Sequence, residues 1–413
     1  MISAAVAALM LAASPAQGGA HLRILSSSQA MDGLDPEQIA RVQSILAGRA
    51  ATLANTAIAA PGIDADLAWP LQPASGFAPF GYYGTGYFVD HDPRFPNLLQ
   101  DYTCGERTYD LDSGYNHAGT DYYLWPYPWL MMDDELIQIV AAAPGVIAEK
   151  IDGNFDRDCA IAGNGGFNAV FVQQDDGFTA WYLHMKNGSL TIKSVGERVD
   201  AGEYLGLVGS SGPSSLPHLH FELHDGSGNI VDPLHGECNS VPDRWIVPQS
   251  YESPRIDTLS THSAEPTFVT CGVDNGQPVH EDPHFQDSFA GGETLWAFAS
   301  YSDHRNGEIT HFSVIEPNGD ILTSWDFDLA SQALPRPFYS GTGFDWSVTL
   351  PADAASGTWM LQAEFSGRAY QHPFQVGGGA GRPTPSHSRH ERPSRPGADS
   401  CDSPAECAMR ARS

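Results

Sequence analysis

Lysine is almost missing from this 413-residue chain: Lys150, Lys186 and Lys193 are all it has. Counting arginine, 21 basic residues face 50 acidic ones, a formal net charge of −29. Such a surface repels phosphate backbones, and no basic arm offsets it, so no nucleic-acid partner is expected. Also absent are a GxSxG elbow, a Walker-type phosphate loop and a dinucleotide fingerprint, which removes the commonest serine-hydrolase and nucleotide readings. Ser210 and Ser211 sit in GSSGPSS, a turn with no acid–base pattern around it. No CxxC pair offers a thiolate zinc site. After residue 16 no apolar run approaches the length of a membrane span, so no spanning segment is expected.

The length suits two or three domains, and 42 glycines with 30 prolines favour β structure with many turns. Residues 1–16, MISAAVAALMLAASPA, have the apolar core and small cleavage-site residues of a signal peptide, although no Lys or Arg precedes the core. Export to the periplasm or the exterior is therefore the expectation, with a monomer as the working form. The six cysteines fit an oxidising compartment. Of the fifteen possible pairings, Cys104–Cys159 and Cys238–Cys271 are the expected bridges, and Cys401 and Cys407 pair locally if at all.

Residues 17–102 read as a helix followed by an irregular Gly/Pro/aromatic lead-in. The helix is placed at Pro36–Ala60 with Asp35 as its N-cap. Residues 103–238 hold short apolar runs separated by turns, and Asp176-Gly177 marks a hairpin between two of them. Residues 239–266 read as a linker of little regularity. Residues 267–376 form a second β block, where Asn318-Gly319 divides two alternating runs and Trp359, Leu361, Ala363 and Phe365 share a face. An immunoglobulin-like β-sandwich fits that pattern. Residues 377–413 are too poor in apolar side chains to offset the entropy of ordering, and a disordered tail is expected. The fold class is mainly β: an antiparallel β-sheet core, an N-terminal helix and a C-terminal β-sandwich.

Chemistry concentrates in PHLHFELH, residues 217–224. A strand there puts His218, His220, Glu222 and His224 on one face and Leu219, Phe221 and Leu223 on the other. At ~3.3 Å per residue, His220 and His224 lie roughly 13 Å apart, too far to share one ion bound at ~2 Å. His224 is then a bystander. Taken alone, the two remaining histidines are as readily surface residues. NHAGTD, residues 116–121, adds His117 and Asp121, with Gly119 between them to permit a bend. WYLHMKNG adds His184, on the same strand face as Tyr182.

These three elements, in this order, resemble the lysostaphin-type zinc metallopeptidases, which cleave peptide bridges in bacterial cell walls. The resemblance covers Tyr115–Pro233 and rests on His117-Ala118-Gly119-Thr120-Asp121, Tyr182-Leu183-His184 and His218-Leu219-His220-Phe221-Glu222. It implies one zinc ion held by His117, Asp121 and His220, and His184 with His218 as unliganded catalytic histidines. It implies a metalloendopeptidase acting on peptidoglycan or another peptide substrate. The rival is a non-catalytic cell-wall-binding or regulatory module on the same fold, although such relatives generally lose ligand residues and none is lost here. Residues 122–136, YYLWPYPWLMMDDEL, replace a short turn of the family. They read equally as a substrate-shaping loop and as an insert whose Trp125, Trp129 and Met131 pack on the N-terminal segment. Asn, Asp or His side chains of residues 63–110 are candidates to block the open zinc position. The C-terminal sandwich is a binding module or a packing domain.

Two further matches fail on physical grounds. HEDPH, residues 280–284, has the HExxH spacing, but Pro283 would interrupt the helix that motif needs. DGNFDRD, residues 152–158, starts like a calcium loop but has Arg157 where the invariant glycine belongs. His21, His91, His235 and the tail histidines carry no partner signal.

Overall fold

The computed structural model describes residues 21–25, 30–34, 36–53, 66–94, 96, 98–161 and 165–377. The proposed leader, the N-cap Asp35, the end of the expected helix beyond Leu53, and the tail with Cys401 and Cys407 lie outside these residues. The described chain starts with β1 (His21–Leu25) and α1 (Pro36–Leu53). Next come β2 (Tyr83–Thr85), β3 (Thr120–Leu124), α2 (Pro128–Asp133), β4 (Gly145–Ile151), β5 (Ala169–Gln174), β6 (Thr179–Leu183), β7 (Arg198–Val199) and β8 (His218–His224).

Strands β2 to β8 form one antiparallel sheet in the spatial order β2-β3-β8-β6-β5-β4-β7. The sheet is central rather than half-solvated. On one side Tyr122, Leu124, Val170, Val172, Leu219, Phe221 and Leu223 join a core with the small sheet formed by 71–73, 137–140 and 204–207. On the other side Tyr123, Phe171, Trp181 and Leu183 pack with Met31, Leu34 and Val42 of the N-terminal segment. Helix α1 lies over that second face, and its Arg49 bonds the Ala148 carbonyl and pairs with Glu149. Period-two alternation therefore buries both faces of β8, the apolar one in a core and the polar one beneath the N-terminal segment.

The C-terminal unit has two sheets around a shared core. One contains β9 (Arg255–His262), β10 (Thr294–Arg305) and β11 (Phe338–Thr349) in the order β1-β11-β10-β9. The other has five strands, and Phe312, Val314, Trp359, Leu361, Ala363 and Phe365 from it meet Leu295, Ala299, Tyr301, Phe344 and Trp346 from the first. Two details depart from expectation. Residues 239–266 are not irregular throughout, because β9 falls within them and pairs with β10. And β1, from the far N-terminus, closes the edge of the C-terminal sheet against β11. Neither pairing leaves a local trace, since both partners are distant in sequence.

The two units meet through buried polar contacts. Arg107 reaches Asp303 at 2.7 Å, and Tyr123 donates to the Ser340 carbonyl at 2.6 Å. The 122–136 insert belongs to this boundary, where Trp129 and Met131 are buried and Tyr127 stacks on Phe268 at 4.8 Å. Arg157 pairs with Asp133 and lies over the Trp129 ring. The insert's side chains pack on both sides: Trp125 lies with Met31 and Leu34 of the N-terminal segment, and Tyr127 with the C-terminal unit. His280 and His284 stand in a loop, and the buried Glu281 between them accepts the Leu130 N–H.

The bridges are Cys104–Cys238 and Cys159–Cys271, correcting both expected pairs. Their Cα atoms are 5.1 and 5.4 Å apart, within the narrow span a disulfide tolerates. Sequence spacing carries no such information.

Candidate metal centre

Strand register starts the site. In the β3–β8 ladder, Asp121 lies directly opposite His220, and His218 opposite Tyr123. His117 comes from the turn before β3, where its N–H bonds the Tyr109 carbonyl and its own carbonyl accepts from Asp90. Gly119 bends the chain between His117 and Asp121. It also has to be glycine: a Cβ there would lie 2.5 Å from the Phe221 carbonyl and 2.8 Å from His220 Nε2. His184 follows β6 in a left-handed backbone conformation, φ 60°, which a non-glycine residue holds only when its surroundings enforce it.

The five expected residues are fully buried and come together. His117 Nε2 is 3.1 Å from Asp121 Oδ2 and 3.3 Å from His220 Nδ1, and His220 Nδ1 is 2.9 Å from Asp121 Oδ1. Ligand atoms ~2 Å from a tetrahedral ion lie about 3.3 Å from one another, so these are the spacings a shared cation would impose. The rings of His184 and His218 lie 4.6 Å apart beside this trio.

Each tautomer is set from behind by a group that only accepts hydrogen bonds. His117 Nδ1–H donates to the Phe88 carbonyl (2.6 Å), and His220 Nε2–H to Glu222 Oε1 (2.9 Å). His184 Nδ1–H donates to the Ser211 carbonyl (2.7 Å), and His218 Nδ1–H to the Leu216 carbonyl (2.8 Å). The opposite nitrogen of every ring is thereby left with a lone pair facing the cluster. His184 Nε2 and His218 Nε2 are buried and make no hydrogen bond. Four inward lone pairs and a carboxylate suit a divalent metal ion and little else.

Burial would lower His117, but the Asp121 carboxylate outweighs it and raises the ring above its ordinary value. Burial would raise Asp121, but His117 holds it far below the usual carboxylate range. His218, by contrast, is pushed down to about 4 by burial and by His184 beside it, so it is neutral at neutral pH.

Three residues went unassigned in the sequence. Asp32 is buried in the cluster, with Oδ2 2.5 Å from His220 Nδ1 and 3.5 Å from His184 Nε2. His117, Asp121, His220 and Asp32 offer ligand atoms all within 4.8 Å of one another. Nothing local in the sequence marks Asp32. Tyr109 donates to Asp32 Oδ1 (2.8 Å) and stacks on the His117 ring at 4.4 Å. Glu222 bridges His220 and His224, its other oxygen 2.6 Å from His224 Nε2. His224 stays outside the cluster, as its strand position required, and stacks on Trp181 at 4.2 Å. Glu222 was visible in the period-two pattern, which put it beside His220, but its bracing role was not.

Sheet and cluster together define a β-sheet domain with a buried group of His and Asp side chains that could hold a metal ion. Residues 133–233 match Peptidase family M23, and the chain carries a domain of that family. The matched stretch includes His184, His218 and His220, while His117 and Asp121 precede it. Over 127 residues the chain is 31% identical to the glycyl-glycine endopeptidase ALE-1 of Staphylococcus capitis, covering 30% of this chain and 29% of that protein. It is 28% identical over 153 residues to the peptidoglycan DD-endopeptidase ShyC of Vibrio cholerae, covering 37% and 26%. Against lysostaphin of Staphylococcus simulans it is 39% identical over 59 residues, covering 14% and 11%. The chain thus spans under a third of the length of each of these relatives. Among the described residues, no helix is long and apolar enough to cross a membrane.

Proposed function

We propose that this chain is an exported, monomeric zinc metalloendopeptidase that hydrolyses peptide bonds in peptidoglycan crosslinks. His117, Asp121 and His220 hold one zinc ion per chain, and His184 and His218 are the catalytic histidines. The convergence of two imidazole lone pairs and a carboxylate at tetrahedral spacings carries this reading. A bound zinc ion supplies Lewis acidity, polarising a scissile carbonyl and acidifying water.

The remaining chemistry belongs to the side chains. The Nε2 atoms of His184 and His218, opposite the nitrogens that donate to the Ser211 and Leu216 carbonyls, face the same space and are placed to exchange a proton with a reacting group there. The imidazole that accepts it becomes an N–H donor, able to stabilise a developing oxyanion or protonate the departing amine. Phe88, Ser211 and Leu216 carbonyls and the Glu222 carboxylate keep the four rings from rotating out of register. Two disulfides suit an oxidising compartment outside the cytoplasm.

The test is metal analysis of the purified chain combined with digestion of peptidoglycan sacculi and a glycine-rich peptide, with and without chelator. The expected result is one zinc per chain and release of peptide fragments that chelator stops. Chelator-insensitive release overturns the metal role, and a zinc-loaded chain that binds sacculi without cutting them in any of its variants favours a non-catalytic module.

A further inference from the structure

Strand β9 lies at the edge of its sheet, and its outer side is only partly covered. Along an antiparallel strand, alternate residues turn their N–H and C=O away from the partner. Asp257 and Thr261 do so here, their carbonyls accepting the Gly81 N–H (3.0 Å) and the Gln286 N–H (3.0 Å). Leu259 lies midway between them and has the same orientation. Among the described residues no main-chain group bonds it on that side. One free rung is therefore left in a gap of roughly 13 Å between two occupied ones. A cavity of about 310 Å³ opens along this gap, with Phe80, Tyr127 and Leu130 of the sheet domain on one side and Phe285 and His372 of the C-terminal unit on the other. Phe80 is 51% exposed and meets Tyr370 edge-on at 5.2 Å. Asp287 also lines the cavity, with its Oδ1 2.9 Å from His372 Nε2. An unpaired edge beside an apolar cavity is a receptor for an extended peptide.

The chain itself carries a matching segment. Its last strand, Arg368–Val376, supplies His372 to the cavity wall, and the sequence continues beyond Gly377 to Arg382-Pro383-Thr384-Pro385. Proline has no N–H, so it fits an edge strand only at positions that turn away from the ladder. In Pro383-Thr384-Pro385 only Thr384 has an N–H to offer, which is what a single free rung at Leu259 requires. Proline rings also suit aromatic walls such as Phe80 and Tyr127. Charge favours the same pairing: in a chain of formal net charge −29, residues 382–396 hold four arginines and one glutamate. Arg382 is thereby matched to the acidic side of the groove at Asp287. The tether is long enough, because His372 lies roughly 17 Å back along the strand from Gly377, and the stretch from Gly377 to Thr384 spans up to about 23 Å. We propose that residues 382–385 dock in this groove as an added strand, Thr384 exchanging both main-chain hydrogen bonds with Leu259. The C-terminal stretch then staples the sheet domain to the C-terminal unit. Docking of this kind needs no metal and stands apart from the zinc reading.

The experiment follows hydrogen exchange of the Leu259 amide in the full chain, by mass spectrometry with fragmentation that resolves single residues. The parent is compared with Thr384→Pro, which deletes the one N–H able to join the ladder, and with Arg382→Glu, which reverses the charge. In the parent the Leu259 amide is expected to exchange at least about tenfold more slowly than in Thr384→Pro, with a smaller loss of protection in Arg382→Glu. Dilution of the parent should leave that protection unchanged, as an intrachain contact requires. Equal exchange in all three chains overturns the proposal, whether the groove is empty or holds something else. Protection that disappears on dilution puts the segment of a second copy in the groove and overturns the intrachain assignment.

Discussion

Both halves of the molecule bury histidines, with opposite results. In the sheet domain the free nitrogens of His117, His184, His218 and His220 face carboxylates and one another. In the C-terminal unit, His262 bonds the Pro283 carbonyl (2.5 Å) and Ser260 Oγ (2.8 Å) and stacks on Phe285. His304 bonds Thr342 Oγ1 (2.9 Å) and stacks on Tyr301 at 4.3 Å. Among the described residues neither belongs to a metal-capable group. Burial alone therefore says nothing about function. A buried imidazole becomes part of a reactive centre when the fold gives it an acceptor behind and an acid in front. With hydroxyls, carbonyls and rings around it, it is a core residue.

The contrast can be broken from either side. The largest effect is expected from His117→Ala or His220→Ala, each of which removes a proposed ligand. Peptidase activity should fall about a thousandfold or more with loss of bound zinc, read by kinetics and metal analysis together. Retained zinc and activity in either variant would erase the distinction between the two sets of histidines. Glu222→Gln should weaken zinc binding by about 10- to 100-fold, measured by competition with a chromophoric chelator. The amide keeps the shape but no longer supplies a carboxylate to hold the His220 N–H.

A smaller change is expected at the boundary between the halves. Gly272→Ala puts a methyl 2.2 Å from the Trp129 ring and should cost about 1–3 kcal/mol in denaturant melts, leaving zinc content unchanged. The smallest effect at neutral pH belongs to the C-terminal histidines. Burial pushes His262 down to about 3 and His304 down to about 4. An unfolded histidine takes up its proton near ~6.5, so between those values the unfolded chain binds more protons. Their contribution is complete above ~6.5 and is lost as pH falls towards the folded values. Replacing His304 with Phe should leave zinc content and activity at pH 7 unaltered and flatten the acid limb of a melting-temperature profile. An unchanged acid limb would mean that His304 titrates normally.

The legible parts of the site were those written within a few residues of one another. Alternation in residues 217–224 placed His218, His220 and Glu222 on one face, and the strand rise set His224 apart; the geometry has both features. The bend at Gly119 was likewise legible because a glycine between two candidate ligands has a local consequence. Gly119 serves a second purpose, close approach of the His220 ring, that no single stretch could reveal. Asp32, β1, β9 and the disulfide partners escaped for one reason: each is defined by what lies across a ladder or a core, and the energy that selects such a partner is spread over the whole tertiary structure.

The Cys159–Cys271 bond has a practical corollary. It spans the covalent junction between the sheet domain and the C-terminal unit, with the whole connecting stretch enclosed in its 112-residue loop. A protease that nicks the backbone once anywhere inside that loop produces two chains that remain a single molecule. On a gel the nick would show only after a reducing agent is added, so intact mobility under oxidising conditions is no proof of an uncut polypeptide.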